Sequence, residues 1–418
     1  MDHAAPTLSI CVPTYNRAPW LNLLLRDFFA DPPTKPFELI VCDNCSTDET
    51  AAVLEEWAAR EPRLRVFRQA SNVGAYNNLM TAYRMARGEY CTYLADDDRL
   101  ISSALDEAVE YMNDHSNLAC YYASHEIWDN FDKRSLGLYY TIPEETSFSK
   151  LQSIPLLNFI LMKGIFPEIC FYRTSALHRM YMIPFKAYWA YMHLAHSLEF
   201  DDLAFRTVPF YRCLVRQEIA GPFGPTLGGD EVMHNRDAYE AGLQYLAQKA
   251  YQHVGLDAPP PHEIGVLNKM IDTFMDERLI TATDILMRWK NYRAAYEFLV
   301  RQQARGCLHE ALAADFRANM AELAVLQTAI EMFEGMSVLD CFALFDVPDI
   351  DHTEGLLREL RPGLKFETLS DAAMREPVDR SRTFVLVGSD DARATLVDAG
   401  FSPGLIVAQA DLAALYRL

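Results

Sequence analysis

The sequence lacks any apolar stretch close to the roughly 20 residues that a membrane-spanning helix needs. Its start, MDHAAPTLSICVPTYNR, lacks the charged region and apolar segment of a secretion signal. Basic residues are also scarce, with 38 Lys and Arg against 58 Asp and Glu, which argues against a nucleic-acid-binding surface. These absences predict a cytoplasmic protein without a membrane span, limited to peripheral contact with a membrane.

Half of the 418 residues are apolar, which is enough for two or three domains with cores. Nine cysteines lie mostly in apolar runs, a pattern typical of reduced, buried thiols. Cys42 and Cys45 have the C-x-x-C spacing of a redox pair, but no second C-x-x-C completes a zinc site. Because Cys42 ends an apolar run that reads as a buried strand, we interpret both thiols as structural.

The first 125 residues alternate between apolar runs and amphipathic segments. TLSICV, FELIVC, LRVFR, EYCTYLA and LACYYAS read as strands, whereas APWLNLLLRDFFA carries apolar residues at helical spacing. In STDE, Ser46 stands three residues before Glu49, the spacing of a capping box that opens a helix. Strands that are apolar throughout predict a mainly parallel sheet with helices on both faces.

Polar side chains follow three of these strands. PTYNR comes after the first strand, DNCSTD after the second, and three aspartates, residues 96–98, after the fourth. Because the carboxyl ends of parallel strands meet at one edge of a sheet, Tyr15, Asp43 and the aspartates are expected to share one rim. Adjacent carboxylates repel one another and lose hydration on burial, so this cluster indicates a site for a cation or a proton.

Together these motifs resemble the nucleotide-binding half of family 2 glycosyltransferases with the A-type fold. The resemblance covers residues 6–125, and extends more weakly to about residue 220, through LSICVPTYNRAPWLNLLLRDF, FELIVCDNCSTDET and NVGAYNNLMTAYRMARGEYCTYLADDDRL. It implies a Rossmann-like sheet and the transfer of a sugar from a nucleoside diphosphate sugar, taken here as a UDP-sugar. The implied acceptor is a glycan, lipid-linked or protein acceptor in bacterial surface polysaccharide or glycoconjugate synthesis.

The same resemblance assigns the aspartate cluster to a divalent cation, Mn²⁺ or Mg²⁺. Asp96 and Asp98 match the family's D-x-D metal motif, and Asp97 would face the ribose or the donor sugar. Carboxylates supply the hard oxygen ligands that these cations prefer. The sequence departs from the family's longer motif at Ala95, where an aspartate is usual.

Other residues match the family's donor-binding positions. By resemblance, Pro13 and Tyr15 would line the nucleotide base, and Asp43 would accept a hydrogen bond from it. Asn72 and Gly74 match the loop that closes near the donor.

The general base is open to two readings. In the first, EFDDLAFR is the family's acidic segment, and Asp202 or Asp201 deprotonates the acceptor hydroxyl. In the second, DDLAFRTVPFYR is a turn and strand that follow the base, which would then lie near His193 or be replaced. Packing in an apolar helix is the simpler role for His193.

Three parts are expected: a catalytic domain at 1–235, divided into a donor half (6–125) and an acceptor half (126–235), a helical region at 236–334 and a small α/β domain at 335–418. A glycine-rich loop at 221–236 ends near His234, a candidate ligand for the metal or the diphosphate. The last domain lacks G-x-G-x-x-G, so we expect it to mediate oligomerisation or assembly. The alternative function is a non-catalytic sugar-nucleotide-binding or assembly protein.

Overall fold

The computed structural model describes residues 5–130, 132–180, 187–215, 236–370 and 379–418. Contacts divide the chain into two compact units, Met1–Met275 and Asp276–Leu418. Among the described residues, no helix is long and apolar enough to cross a membrane.

The first unit contains two sheets and the helices that cover them. Its strands are β1 (Leu8–Thr14), β2 (Phe37–Asp43), β3 (Leu64–Arg68), β4 (Tyr90–Tyr93), β5 (Arg99–Leu100), β6 (Leu118–Ala123), β7 (Glu126–Asp129), β8 (Arg134–Leu138), β9 (Thr146–Phe148), β10 (Cys170–Arg173), β11 (Asp202–Arg206) and β12 (Tyr211–Val215). Its helices are α1 (Ala18–Ala30), α2 (Thr50–Arg60), α3 (Ala75–Met85), α4 (Ser102–Asp114), α5 (Ser153–Lys163), α6 (Thr174–Arg179), α7 (Trp189–Ser197) and α8 (Arg236–His253). The boundary between the units falls inside α9 (Pro261–Arg288).

The larger sheet has the strand order β3-β2-β1-β4-β10-β6-β11-β9. Strands β3, β2, β1 and β4 are parallel, whereas β10 runs antiparallel to both β4 and β6. All seven residues of β2 are buried because both faces are covered. Ile40 and Cys42 enter one apolar cluster, and Leu39 and Val41 enter the other. The mainly parallel, doubly covered sheet predicted from the sequence is confirmed.

A smaller sheet has the order β5-β12-β7-β8. Strand β12 pairs in parallel with β7 and antiparallel with β5, the two-residue strand that directly follows Asp98. This pairing brings the residues of β12 beside the predicted aspartate cluster.

Five of the nine thiols lie inside the larger sheet, one on each of five strands: Cys11, Cys42, Cys91, Cys120 and Cys170. The sulfur atoms of Cys11 and Cys91 are 3.8 Å apart. Burial raises the pKa of Cys42 to about 12, which agrees with a structural role.

The second unit begins with helices and ends in a four-stranded parallel sheet of order β14-β13-β15-β16. Its elements are α10 (Tyr292–Arg305), α11 (Glu310–Asp315), a π-helical turn (Phe316–Met320), α12 (Ala321–Glu334), β13 (Cys341–Phe345), α13 (Ile350–Leu360), β14 (Phe366–Thr368), β15 (Thr383–Val387), α14 (Asp390–Asp398), a 3₁₀ turn (Pro403–Leu405), β16 (Ile406–Ala408) and α15 (Gln409–Leu415). The predicted small α/β segment at the end of the chain is therefore present.

Candidate active site

A cleft of about 490 Å³ opens at the edge of the larger sheet where β1 and β4 end. The antiparallel strand β10 begins at this same edge, and β6 ends there. Residues that follow β1, β4 and β6, and residues that precede β10, therefore meet in one place. This edge brings together loops that are far apart in the sequence.

The aspartate cluster lies on the floor of the cleft. Thr14 donates a hydrogen bond to Oδ2 of Asp96 over 2.7 Å, and Nε of Arg17 donates to Oδ1 over 3.2 Å. The same guanidinium contacts Asp97 through its terminal nitrogen at 2.5 Å. One arginine thus neutralises part of the charge on two adjacent carboxylates.

Asp98 is held from the smaller sheet. The hydroxyl of Tyr211 donates to Oδ2 over 2.8 Å, and the backbone amide of Leu214 donates to Oδ1 over 2.8 Å. Burial raises the pKa of the Asp98 carboxyl well above its usual range, and the charge of Asp97 adds to this rise.

The cluster has the electrostatics of a cation site. Burial and the charge of Asp97 raise the pKa of Asp96 to about 6, although Arg17 and Thr14 act in the opposite direction. A bound cation would relieve this repulsion, and carboxylate oxygens suit Mg²⁺ or Mn²⁺. Among the described residues, no group of three or more His, Cys, Asp or Glu side chains could hold a metal alone. A cation held by one or two of these carboxylates would take its remaining ligands from phosphates and water.

Besides Asp97, four of the predicted donor-binding residues line the cleft: Pro13, Tyr15, Asn72 and Gly74. Gly74 has φ of 83°, a left-handed conformation that favours glycine, and lies at the start of α3. The amide of Asn44 donates to the side-chain oxygen of Asn72 over 3.0 Å and so ties the loops after β2 and β3 together.

Asp43 lies just behind the cleft rather than on its surface. Its side chain is 1% exposed; Oδ1 accepts a hydrogen bond from the Ser46 amide over 2.9 Å, and Oδ2 is 3.3 Å from Nε of Arg68. Oδ2 is buried and lacks a partner with hydrogen-bonding geometry.

The candidate bases lie elsewhere. Asp202 begins β11 and pairs with Leu118, the first residue of β6, so Asp201 and Asp202 lie at the opposite end of the sheet from the cleft. The Asp202 carboxylate accepts hydrogen bonds from Asn117 over 2.7 Å and from the Lys150 amide over 2.8 Å. The geometry therefore gives no support to a general base at either aspartate.

His193 is fully buried in α7, and its Nδ1 lies 3.0 Å from the hydroxyl of Tyr172. Burial lowers its pKa to about 3, as expected of a neutral histidine packed in a core. It does not line the cleft. His234 and most of the glycine-rich loop lie outside the described residues.

The residues that line the cleft and that the sequence reasoning left out include Arg17, His125, Glu168 and Tyr211. His125 follows the carboxyl end of β6 and could have been found by the same strand-end argument that found the aspartates. Glu168 precedes β10, so finding it required knowledge that this strand is antiparallel.

An open, mainly parallel sheet with an aspartate-rich cleft at its strand ends agrees with the A-type fold that the sequence resemblance implies. Residues 9–179 match the model of glycosyl transferase family 2. The match covers less than half of the chain.

Curated relatives align over part of their lengths. An uncharacterized protein of Mycobacterium tuberculosis is 30% identical over 131 residues, which is 31% of this chain and 38% of the relative. The Campylobacter jejuni GalNAc(5)-diNAcBac-PP-undecaprenol beta-1,3-glucosyltransferase is 33% identical over 110 residues, 26% of this chain and 35% of the relative. A structure of Staphylococcus aureus TarS in complex with UDP-GlcNAc aligns over 85% of this chain and 92% of its own, with 18% identity and a TM-score of 0.46.

Proposed function

We propose that the first unit transfers a sugar from a nucleoside diphosphate sugar, in the first instance a UDP-sugar, to a carbohydrate-containing acceptor. The observation that carries this proposal is the convergence of the aspartate cluster, residues 96–98, with Pro13, Tyr15 and Asn72 in one cleft. A glycosyl transfer needs such a combination, because the departing diphosphate develops negative charge beside the base-binding residues.

In this proposal each side of the cleft has one task. Pro13 and Tyr15 flank the nucleotide base, and the loop of Asn72 and Gly74 closes over the donor. The buried Oδ2 of Asp43, which lacks a partner with hydrogen-bonding geometry, supports a role as acceptor for a base N–H if the loop opens to it.

Asp96 and Asp98 would hold Mn²⁺ or Mg²⁺, and Asp97 would face the ribose or the donor sugar. When bound, the cation would supply positive charge to the leaving diphosphate. Tyr211 and the backbone amide of Leu214 fix the orientation of Asp98, so this ligand is already positioned before the cation and the donor bind.

The acceptor is proposed from chemistry and from the relatives. The Campylobacter relative is named for transfer to an undecaprenol-linked glycan. We place this chain in bacterial surface polysaccharide or glycoconjugate synthesis, with a glycan, lipid-linked or protein acceptor. We also propose that the chain divides into domains at residues 235 and 334. The C-terminal segment would then serve in assembly.

The test is release of nucleoside diphosphate from a panel of UDP-, GDP- and dTDP-sugars, with and without Mn²⁺. The wild-type protein should release one of the diphosphates in a metal-dependent way. Asp96→Asn should lower that rate by about a hundredfold, because a charge-stabilising group at the leaving group is lost. Asp114→Asn, the same chemical change at an exposed helix end, should leave it unchanged. Nucleotide binding without release from any donor would instead favour the non-catalytic alternative.

A further inference from the structure

The carboxylates of the aspartate cluster are committed to tasks other than proton transfer. Asp96 and Asp97 are held by Arg17, and both oxygens of Asp98 accept hydrogen bonds from β12. Asp201 and Asp202 lie at the far end of the sheet. An acceptor hydroxyl in the cleft still requires a group that takes its proton.

Glu168 is the remaining carboxylate among the described residues that line the cleft. The segment 165–172 is buried except at Glu168, which is half-buried. A long apolar run therefore presents one carboxylate to the cleft.

The register of β10 fixes where Glu168 lies. Phe171 pairs with Thr92 on β4 and with Tyr121 on β6, so three residues earlier the chain reaches the level of Ala95, beside the aspartate cluster. The amide of Ala123 also donates to the carbonyl of Ile169, which keeps this segment against the end of β6. Glu168 thus lies between the loops that follow β4 and β6.

The electrostatics of neighbouring groups agree with this position. Burial raises the pKa of Cys213, and the negative charges of Asp98, Asp97 and Glu168 add to the rise. The Glu168 charge also contributes to the raised pKa of Asp98.

We propose that Glu168 is the general base of the transfer, an inference that rests on the glycosyl transfer proposed above. The acceptor hydroxyl gives its proton to a carboxylate oxygen of Glu168 while its oxygen bonds to the anomeric carbon of the donor sugar. The bond from that carbon to the diphosphate oxygen breaks, and its electron pair leaves with the nucleoside diphosphate. Attack from the face opposite the leaving group inverts the anomeric configuration.

The experiment compares wild type, Glu168→Gln and Asp201→Asn, with Glu168→Asp as a second variant that keeps the carboxylate. Calorimetry with UDP and GDP, each with Mn²⁺, measures nucleotide binding. Two rates are measured on the donor sugar that the wild type uses: transfer to water, and transfer to azide, an anion that has no proton to lose.

For Glu168→Gln we expect an unchanged Kd for the nucleotide and a loss of at least about a hundredfold in transfer to water. Transfer to azide should stay within about tenfold of the wild-type rate, because a deprotonated nucleophile needs no base. Glu168→Asp should give an intermediate rate with water, and Asp201→Asn should match wild type in all three measurements.

If Glu168→Gln lowers the rates of transfer to water and to azide equally, or raises the nucleotide Kd, then Glu168 positions the donor or its cation. Either result would overturn the base assignment. A lower rate of transfer to water in Asp201→Asn, together with a fully active Glu168→Gln, would identify Asp201 as the general base instead. A wild-type protein that releases no diphosphate from any donor would overturn the proposed function itself, and the base assignment with it.

Discussion

The hydroxyl of Tyr211 donates a hydrogen bond to Oδ2 of Asp98 over 2.8 Å, although the two residues are 113 positions apart in the sequence. The same hydroxyl accepts a hydrogen bond from the backbone amide of Ala95 over 3.1 Å. Strand β12 thus fixes both the backbone and the side chain of the aspartate loop, and the smaller sheet acts as a rigid support for the cleft.

Removing this hydroxyl should loosen Asp98 without emptying the donor site. Tyr211→Phe should lower turnover by about tenfold, which corresponds to about 1.4 kcal/mol, the size of one hydrogen bond to a carboxylate. Steady-state kinetics on the active donor checks this. Tyr296→Phe, which removes a hydroxyl bonded to a backbone carbonyl in the second unit, is the matched control and should be fully active. An equally active Tyr211→Phe would show that the loop is held by other contacts.

Arg17 and a divalent cation should partly substitute for each other. Arg17→Gln leaves Asp96 and Asp97 without their buried counter-charge, so the free energy of unfolding should fall by about 3 kcal/mol. Added Mn²⁺ should raise the unfolding temperature of this variant more than that of wild type, as measured by calorimetry.

Arg26→Gln is the control for that experiment, because its ion pair with Asp27 is largely exposed on the arginine side and should contribute less than about 1 kcal/mol. The same rise with Mn²⁺ in wild type, Arg17→Gln and Arg26→Gln would contradict binding of the cation at the cluster.

Glu199 should make the stability of the first unit depend on pH. Burial alone would raise its pKa, but contacts with His196, Lys249 and His253 outweigh burial and lower it to about 2. A carboxyl whose pKa is lower in the folded state stabilises that state above its unfolded pKa. That contribution disappears as the pH falls from about 4.5 to about 2.

Glu199→Gln should therefore unfold more easily than wild type at pH 7, by about 1 to 2 kcal/mol once partial exposure is allowed for. Urea unfolding at stepped pH should show this difference shrinking below pH 4.5. Glu144→Gln, at an exposed position, should follow wild type throughout. A difference that is constant down to pH 2 would assign the effect to packing.

Gly388 should be essential to the second unit. A Cβ at this position would lie 2.1 Å from the carbonyl oxygen of Asp346, so Gly388→Ala forces the turns after β13 and β15 apart. Hydrogen exchange read by mass spectrometry should show lost protection in β13 and β15 and retained protection in β1 and β4. Gly404→Ala meets no atom within 4 Å and should keep full protection. Loss of protection in β1 with Gly388→Ala would mean that the two units unfold together.

The sequence was enough to predict that the residues after β1 and β4 meet in one cleft, because that follows from strand order alone. Parallel strands end at one edge, so Tyr15 and the aspartates were expected to meet there, as they do. Asp43, expected at the same rim, lies just behind the cleft, and Asn72 was assigned through the family resemblance. The uninterrupted apolar runs of these strands likewise predict that the strands are buried on both faces.

The positions of Asp201, Asp202 and Glu168 depend instead on strand direction, which the local sequence pattern does not show. The sequence DDLAFR does not show whether its aspartates begin a strand or follow one. In the structure they stand at the start of β11, at the end of the sheet opposite the cleft. Glu168 was missed for the converse reason, since only the antiparallel course of β10 brings it to the cleft.

The predicted capping box is also wrong. Ser46 does not cap α2, which begins at Thr50; its hydroxyl instead accepts a hydrogen bond from the Asn16 amide over 2.8 Å. Ser46 thus joins the loops after β1 and β2, although its spacing from Glu49 is that of a helix cap. Spacing identifies a residue that can cap a helix, but tertiary contacts decide whether it does.

The reactivity of the five thiols inside the larger sheet should report when that sheet unfolds. Alkylating reagents attack thiolates, and a buried thiol with a raised pKa offers almost none. In the folded protein, labelling should therefore be confined to the half-buried Cys45, Cys307 and Cys341, because burial raises the pKa of Cys213 well above its usual range as well. Each further mass increment would record a molecule whose sheet had come apart, so that ordinary maleimide chemistry can time the unfolding of the first unit without any engineered probe.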